Sequence, residues 1–155
     1  MKTLFIALAA AVFLPTAGFS CSKPQGASGL ESAMIQWINE QRQAKGLGTL
    51  RTSSKLQAAA QGHACDMATR GYFGHQRAGG PDLSARVKAQ GYRFRKAAEN
   101  IAKTSAPDVG RAAGVWRKSS GHWANILKPD VSEIGLATAS DGGSTYWVMN
   151  IGKSR

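Results

Sequence analysis

Two apolar runs near the C-terminus, Ile134 to Ala139 and Tyr146 to Ile151, flank the stretch Ser140-Asp141-Gly142-Gly143-Ser144, and this arrangement limits the fold more than any other feature. The runs have strand composition and the residues between them suit a hairpin turn. A hairpin alone is at best marginally stable in water, so other elements must cover its apolar faces. Upstream, Leu30, Met34, Trp37 and Ile38 recur at helical spacing until Gly46. A second helix is predicted from about Ser53 to Arg70, with Leu56, Ala59, Ala60, His63 and Met67 on one face and Gly71 as its stop. Pro81 and Asp82 open a short helix carrying Leu83 and Val87, ended by Gly91, and Tyr92 to Arg95 alternates as a short extended segment. Ser105 with Asp108 forms a capping signal before Val109, Ala112, Ala113 and Trp116, a stripe that ends near Ser119 or Ser120. Helices first and a hairpin last predict an α+β domain. With 155 residues there is room for one core, and two cysteines cannot supply a disulfide framework in its place.

Residues 1–20 are set apart. Lys2, an apolar run from Leu4 to Leu14, and then Pro15, Ala17, Gly18 and Ser20 read as a secretory signal, which predicts an exported protein: periplasmic, held at the outer surface by lipid, or secreted. Residues 21–29 have linker composition, and 30–155 are expected to form the single domain. Cleavage after Ser20 would leave Cys21 first, an arrangement that resembles bacterial lipoproteins. Lipid on Cys21 would leave Cys65 a lone thiol; otherwise the two can bridge.

Loss of Lys2 with the signal takes the formal charge only from +11 to +10. Such a balance draws a protein toward anionic lipid, acidic wall polymers or nucleic acid. The cations concentrate between Arg86 and Lys96, and Arg93 and Arg95 among them, with Ser119 and Trp123 further along, are the candidate ligand-binding residues. No nucleic-acid-binding motif accompanies them, which makes nucleic acid the weaker expectation.

Three histidines limit any imidazole chemistry. His75 follows the glycine-flanked aromatic turn Gly71-Tyr72-Phe73-Gly74, and His122 lies just past the third long helix; both stand at element boundaries, where functional side chains concentrate. His63 lies on an apolar stripe and is expected to be a core residue with a backbone partner. Glu99, between Ala97-Ala98 and Asn100-Ile101-Ala102, is a carboxylate in apolar surroundings that needs a cation, a donor or a metal to offset desolvation. His75, Glu99 and His122 together would make an acid/base set or a divalent-metal site with open positions. No nucleophile elbow, no H-E-x-x-H and no glycosidase-like carboxylate pair is present, so no reaction is named. Trp37, Trp116 and Trp147 are expected in the core, and Trp123, beside His122, as a lining of the cleft.

The strings Gly71-Tyr72-Phe73-Gly74-His75, Ala98-Glu99-Asn100-Ile101-Ala102, Ser119-Ser120-Gly121-His122 and Tyr146-Trp147-Val148, with Asn39, Arg42, Arg86 and Trp116 in order between Leu30 and Gly152, resemble the bacterial branch of the CAP family. That family groups cysteine-rich secretory proteins, antigen 5 and plant pathogenesis-related proteins. The resemblance implies a three-layer α-β-α sandwich with a central antiparallel sheet and an open cleft. In eukaryotic members it further implies two histidines and two glutamates, in several cases around a divalent ion such as zinc. His75, Glu99 and His122 match three of those positions, with His75 and His122 as the metal ligands; Ser119 stands where the second glutamate is expected. The expectation is weak or absent metal binding, and an exported binding module for a lipid, wall or host ligand, with a hydrolase working through the same cleft as the alternative.

Overall fold

The computed structural model describes residues 21–155, so the signal read at 1–20 lies outside the described residues. In chain order the elements are α1 (Ala27–Gln43), β1 (Arg51–Thr52), α2 (Ser54–Arg70), α3 (Leu83–Ala89), β2 (Phe94–Thr104), α4 (Val109–Lys118), α5 (Ser120–Ile126), β3 (Glu133–Ser140) and β4 (Thr145–Ser154). Among the described residues, no helix is long and apolar enough to cross a membrane.

The sheet runs β1-β3-β4-β2, and β3 and β4 form the expected hairpin. β2, β4 and β3 are antiparallel, and only the two-residue β1 joins in parallel, beside β3. Successive side chains of a strand point to opposite faces, and this splits the core. Trp147, Met149 and Ile151 of β4 face Met34, Ile38, Trp116 and Ile126 from α1, α4 and α5, whereas Tyr146 and Val148 face Ala60, Ala64 and Met67 of α2. The result is α-β-α. The α2 side depends on small residues: a Cβ at Gly135 would lie 2.0 Å from the Gln57 backbone nitrogen, so only glycine lets α2 lie this close to β3.

Caps set the helix ends. Ser53 accepts from the Leu56 N–H at the start of α2, and Gly71, at φ 68°, ends it in the left-handed conformation. The cap of α4 is Asp108 rather than Ser105, accepting from the Arg111 N–H. Asn39 both donates to and accepts from the Leu50 backbone. Arg42 is 1% exposed and donates to the carbonyls of Gly48, Ile126 and Lys128, so its burial is matched by acceptors at the end of α5.

Three expectations change. The stretch 21–29 is not a free linker: Cys21 is bonded to Cys65, the Ser22 carbonyl accepts from the Ser140 N–H, and α1 already begins at the buried Ala27. Its composition suits a spacer, and composition does not register a cross-link. The extended segment at Tyr92–Arg95 grows into the eleven-residue β2, which contains Glu99. The stripe ending near Ser119 is followed at once by α5, which carries His122.

Candidate functional site

β2 is an edge strand, and the site is built around it. Glu99 pairs in register with Asn150 of β4 and points to the α2 side of the sheet; Asn100 points to the other side, where its amide donates to the His122 carbonyl at 2.9 Å. Asn125 of α5 donates to Asn100 Oδ1 at 2.9 Å and fixes that amide in turn. The two polar residues in mid-strand are thus each satisfied by a different layer.

Glu99 is 7% exposed and densely partnered. Arg86 of α3 donates from Nη2 to Oε2 at 2.7 Å, and His75 donates from Nδ1 to Oε1 at 3.0 Å. Asn150, with its amide nitrogen turned toward the carboxylate, donates to Oε2 at 3.1 Å while its oxygen accepts from the Ala60 N–H. Arg86 also donates from Nη1 to the carbonyls of His75 and Pro81, at 3.0 and 2.8 Å, and so holds the loop that carries His75 as well as the carboxylate. His63 lies behind, 1% exposed, with Nε2 3.7 Å from Glu99 Oε1 and hydrogen-bonded to the Gly74 carbonyl at 3.0 Å. A recess of about 330 Å³ between α2 and α3, lined by His63, Tyr72, Arg77 and Arg86 among others, reaches this side of the site. Burial and the hydrogen bond to Asp66 push the Tyr72 hydroxyl up to about 12, so it is a donor at any physiological pH.

The imidazoles are pushed in opposite directions. His75 lies above its ordinary value, first through its hydrogen bond to Glu99, and its side chain is 60% exposed. His122 lies below, through burial and then the nearby His75, and its Nδ1 is buried without a partner. His63 lies below because burial outweighs Glu99. A histidine raised by folding adds stability below the unfolded value and loses it as pH climbs through the folded value; the lowered pair add stability above the unfolded value and lose it as pH falls. A proton NMR titration of the three rings is therefore expected to show His75 titrating above the usual histidine midpoint and His63 and His122 below it. One shared midpoint would contradict this geometry.

The structure thus joins His75 to Glu99 by a hydrogen bond and places His122, carried on α5, near His75, with no hydrogen bond from its ring to either. Ser119 caps α5, its hydroxyl accepting from the His122 N–H at 3.4 Å. The Trp123 ring lies 6.2 Å from Trp37 and 5.5 Å from the Arg117 guanidinium. Arg93 and Arg95 are exposed at the start of β2, four to six positions before Glu99. His63 is the buried residue with a backbone partner that its apolar stripe predicts. The residues not foreseen in their roles are Arg86 and Asn150, and each carried a signal: an arginine one position before the core residue Val87, and a lone amide in the apolar run of β4.

A divalent metal fits poorly here. Among the described residues, no group of three or more His, Cys, Asp or Glu side chains is gathered as a metal would need. Both oxygens of Glu99 are already engaged by cation and N–H donors, and His75 uses Nδ1 on Glu99. The chemistry open to this arrangement is that of an imidazole oriented by a buried carboxylate.

Residues 35–151 match the family model described as "CAP: Cysteine-rich secretory protein family". The Bacillus subtilis protein YkwD is 32% identical over 133 residues, 85% of this chain and 51% of YkwD, so the chain spans about half the length of that curated relative. Among solved structures, an outer surface protein from Borrelia burgdorferi superimposes with a TM-score of 0.79 at 18% identity, over 88% of this chain and 100% of that one. An extracellular protein from Bacillus anthracis containing an SCP domain gives 0.73 at 25% identity, over 84% of this chain and 42% of its own.

Proposed function

Because this chain belongs to the cysteine-rich secretory protein (CAP) family, we propose that it is an exported binding module whose ligand contacts the exposed His75 ring. Similarity to proteins described as extracellular or outer-surface supports export. The observation that carries the binding reading is the state of Glu99. Its oxygens are held by Arg86, His75 and Asn150, so the carboxylate acts as a fixed anchor for the imidazole and not as a free acid or base. Phe73, half exposed and two residues before His75, adds an aromatic surface beside a polar one. An extracellular lipid, wall component or host ligand with both polar and apolar groups suits that pair.

A hydrolase is the second reading, favoured by one feature. An imidazole oriented through Nδ1 by a carboxylate, with its other face in solvent, is the base half of a catalytic dyad. Among the described residues no hydroxyl or thiol is hydrogen-bonded to the imidazole ring of His75 or His122 to complete it; the Ser119 hydroxyl meets only the His122 backbone N–H.

The two readings separate in one experiment. The purified protein and a His75→Ala, His122→Ala variant are assayed for turnover of lipid ester, peptide and nucleic-acid substrates, and for capture of extracellular lipid and wall fractions. The expected outcome is no turnover by either protein and weaker capture by the variant. Turnover present in the wild type and lost in the variant would replace the binding module with the enzyme.

A further inference from the structure

We propose that the end of the sheet farthest from the Cys21–Cys65 bridge docks a linear extracellular polymer carrying repeated phosphate or carboxylate groups and hydroxyls. The inference extends the binding-module reading to a second surface and makes no use of the His75–Glu99 site.

The start of β2 and the end of β4 pair there, with Phe94 opposite Ser154 and Lys96 opposite Lys153, and the Arg155 N–H donates to the Arg93 carbonyl. Five exposed cations, Lys55, Arg93, Arg95, Lys153 and Arg155, gather at this end and have no acidic partner among the described residues. The two acids nearby are already taken. Glu133 accepts from the Tyr92 hydroxyl at 2.7 Å and lies 3.5 Å from Arg51, while Asp130 is paired with Lys96. Like charges left together without counter-charge are unfavourable to the fold unless an anion approaches them.

Shape selects among anions. Lys55, Arg93 and Arg155 rim a recess of about 400 Å³ whose wall also carries the hydroxyls of Thr52, Ser54 and Ser154, and the carboxylate of Glu133, which is held by Tyr92 and Arg51. A chain can enter a concavity of this kind, whereas a flat bilayer meets only its rim. The large exposed apolar side chains of the described residues are Phe73 and Val115, and neither belongs to this end, so nothing here inserts into lipid. A single-stranded nucleic acid would want open aromatic faces to stack its bases. Tyr92 is 3% exposed and stacked on Phe94, whose ring is covered by Lys88. Orientation agrees: the first described residues are fixed at the opposite end of β3, through Ser22 and Ser140, so this end points away from the chain's N-terminal side.

The test measures binding of the purified protein to lipid-free poly(glycerol phosphate) and to polygalacturonate, which separate phosphate from carboxylate recognition. Phosphatidylglycerol vesicles and a single-stranded oligonucleotide serve as competing classes. The wild type is expected to bind at least one polymer with marked salt dependence and more tightly than either competitor. Arg93→Glu with Arg155→Glu should weaken binding about tenfold or more, while Arg111→Glu with Lys118→Glu, the same charge change on α4, stays within about twofold. The His75→Ala, His122→Ala variant should bind as the wild type does, which keeps this result distinct from failure of the site above. Acetylation footprinting of the wild type, needing no variant, should show polymer protecting Lys55 and Lys153 but not Lys118. No binding to either polymer, equal loss in the two charge variants, tighter binding of vesicles or oligonucleotide, or uniform acetylation would each overturn the proposal.

Discussion

Replacing Arg86 with alanine is expected to lower the unfolding free energy by about 3–5 kcal/mol, a large share of the roughly 5–15 kcal/mol that holds an ordinary domain folded. Arg86 and Glu99 form an ion pair at 2.7 Å with side chains 9% and 3% exposed. Removing the cation leaves a carboxylate shielded from water and reliant on an amide and an imidazole, and it strips the His75 and Pro81 carbonyls of a donor. Urea denaturation should show the midpoint falling with the slope unchanged. Arg86→Lys should not rescue it, since an ammonium cannot reach one carboxylate oxygen and two carbonyls in the planar pattern that a guanidinium provides. Arg86→Met with Glu99→Leu should recover much of the loss, because an apolar pair leaves no orphaned charge. A loss below about 1 kcal/mol for Arg86→Ala would mean that water reaches the pair in solution.

The same pair shows how far the sequence could be read. Glu99 stood out because its neighbours are apolar, and His75 because it follows a glycine-flanked turn. Both signals are local. Arg86 opened a basic run whose charge pointed toward anionic partners, yet one turn of α3 carries it inward, with Val87 beside it in the core. What separates Arg86 from Arg93 and Arg95 is the tertiary position of α3 against β2. Helices with strong stripes and caps were legible, as Ser53 and Gly71 at the two ends of α2 illustrate. β2 was not, since Glu99 and Asn100 interrupt its middle with consecutive polar residues. Both of its faces are covered, so no alternation survives for a reader to find. α5 hid for a related reason: Ser119 ends one helix and caps the next, and one residue with two duties looks like a single terminus.

Removal of the Cys21–Cys65 bridge has the second largest expected effect. The bridge spans a sequence separation of 44 residues, enclosing α1, β1 and much of α2. Restricting a loop of that length in the unfolded chain is worth about 4 kcal/mol in the chain-entropy description, and observed values commonly lie near 2–4 kcal/mol. Cys21→Ser with Cys65→Ser is therefore expected to melt roughly 10 °C lower by calorimetry. The reduced wild type should match it, which separates the cross-link from the changed side chains. Part of the loss is local, because Ser22 reaches the end of β3 through a single backbone hydrogen bond to Ser140 and would fray once Cys21 is released. The bridge also bears on the two fates open to Cys21. Its sulfur cannot hold a lipid thioether and a disulfide at once, and a lipid-bearing Cys21 leaves Cys65 as a thiol. Maleimide applied to the denatured, unreduced protein should label nothing, and non-reducing mass spectrometry should find the chain two hydrogens lighter than its reduced form. One label per chain on Cys65, with the added mass of acyl groups at Cys21, would replace the bridge by the anchor and remove the predicted difference in melting on reduction.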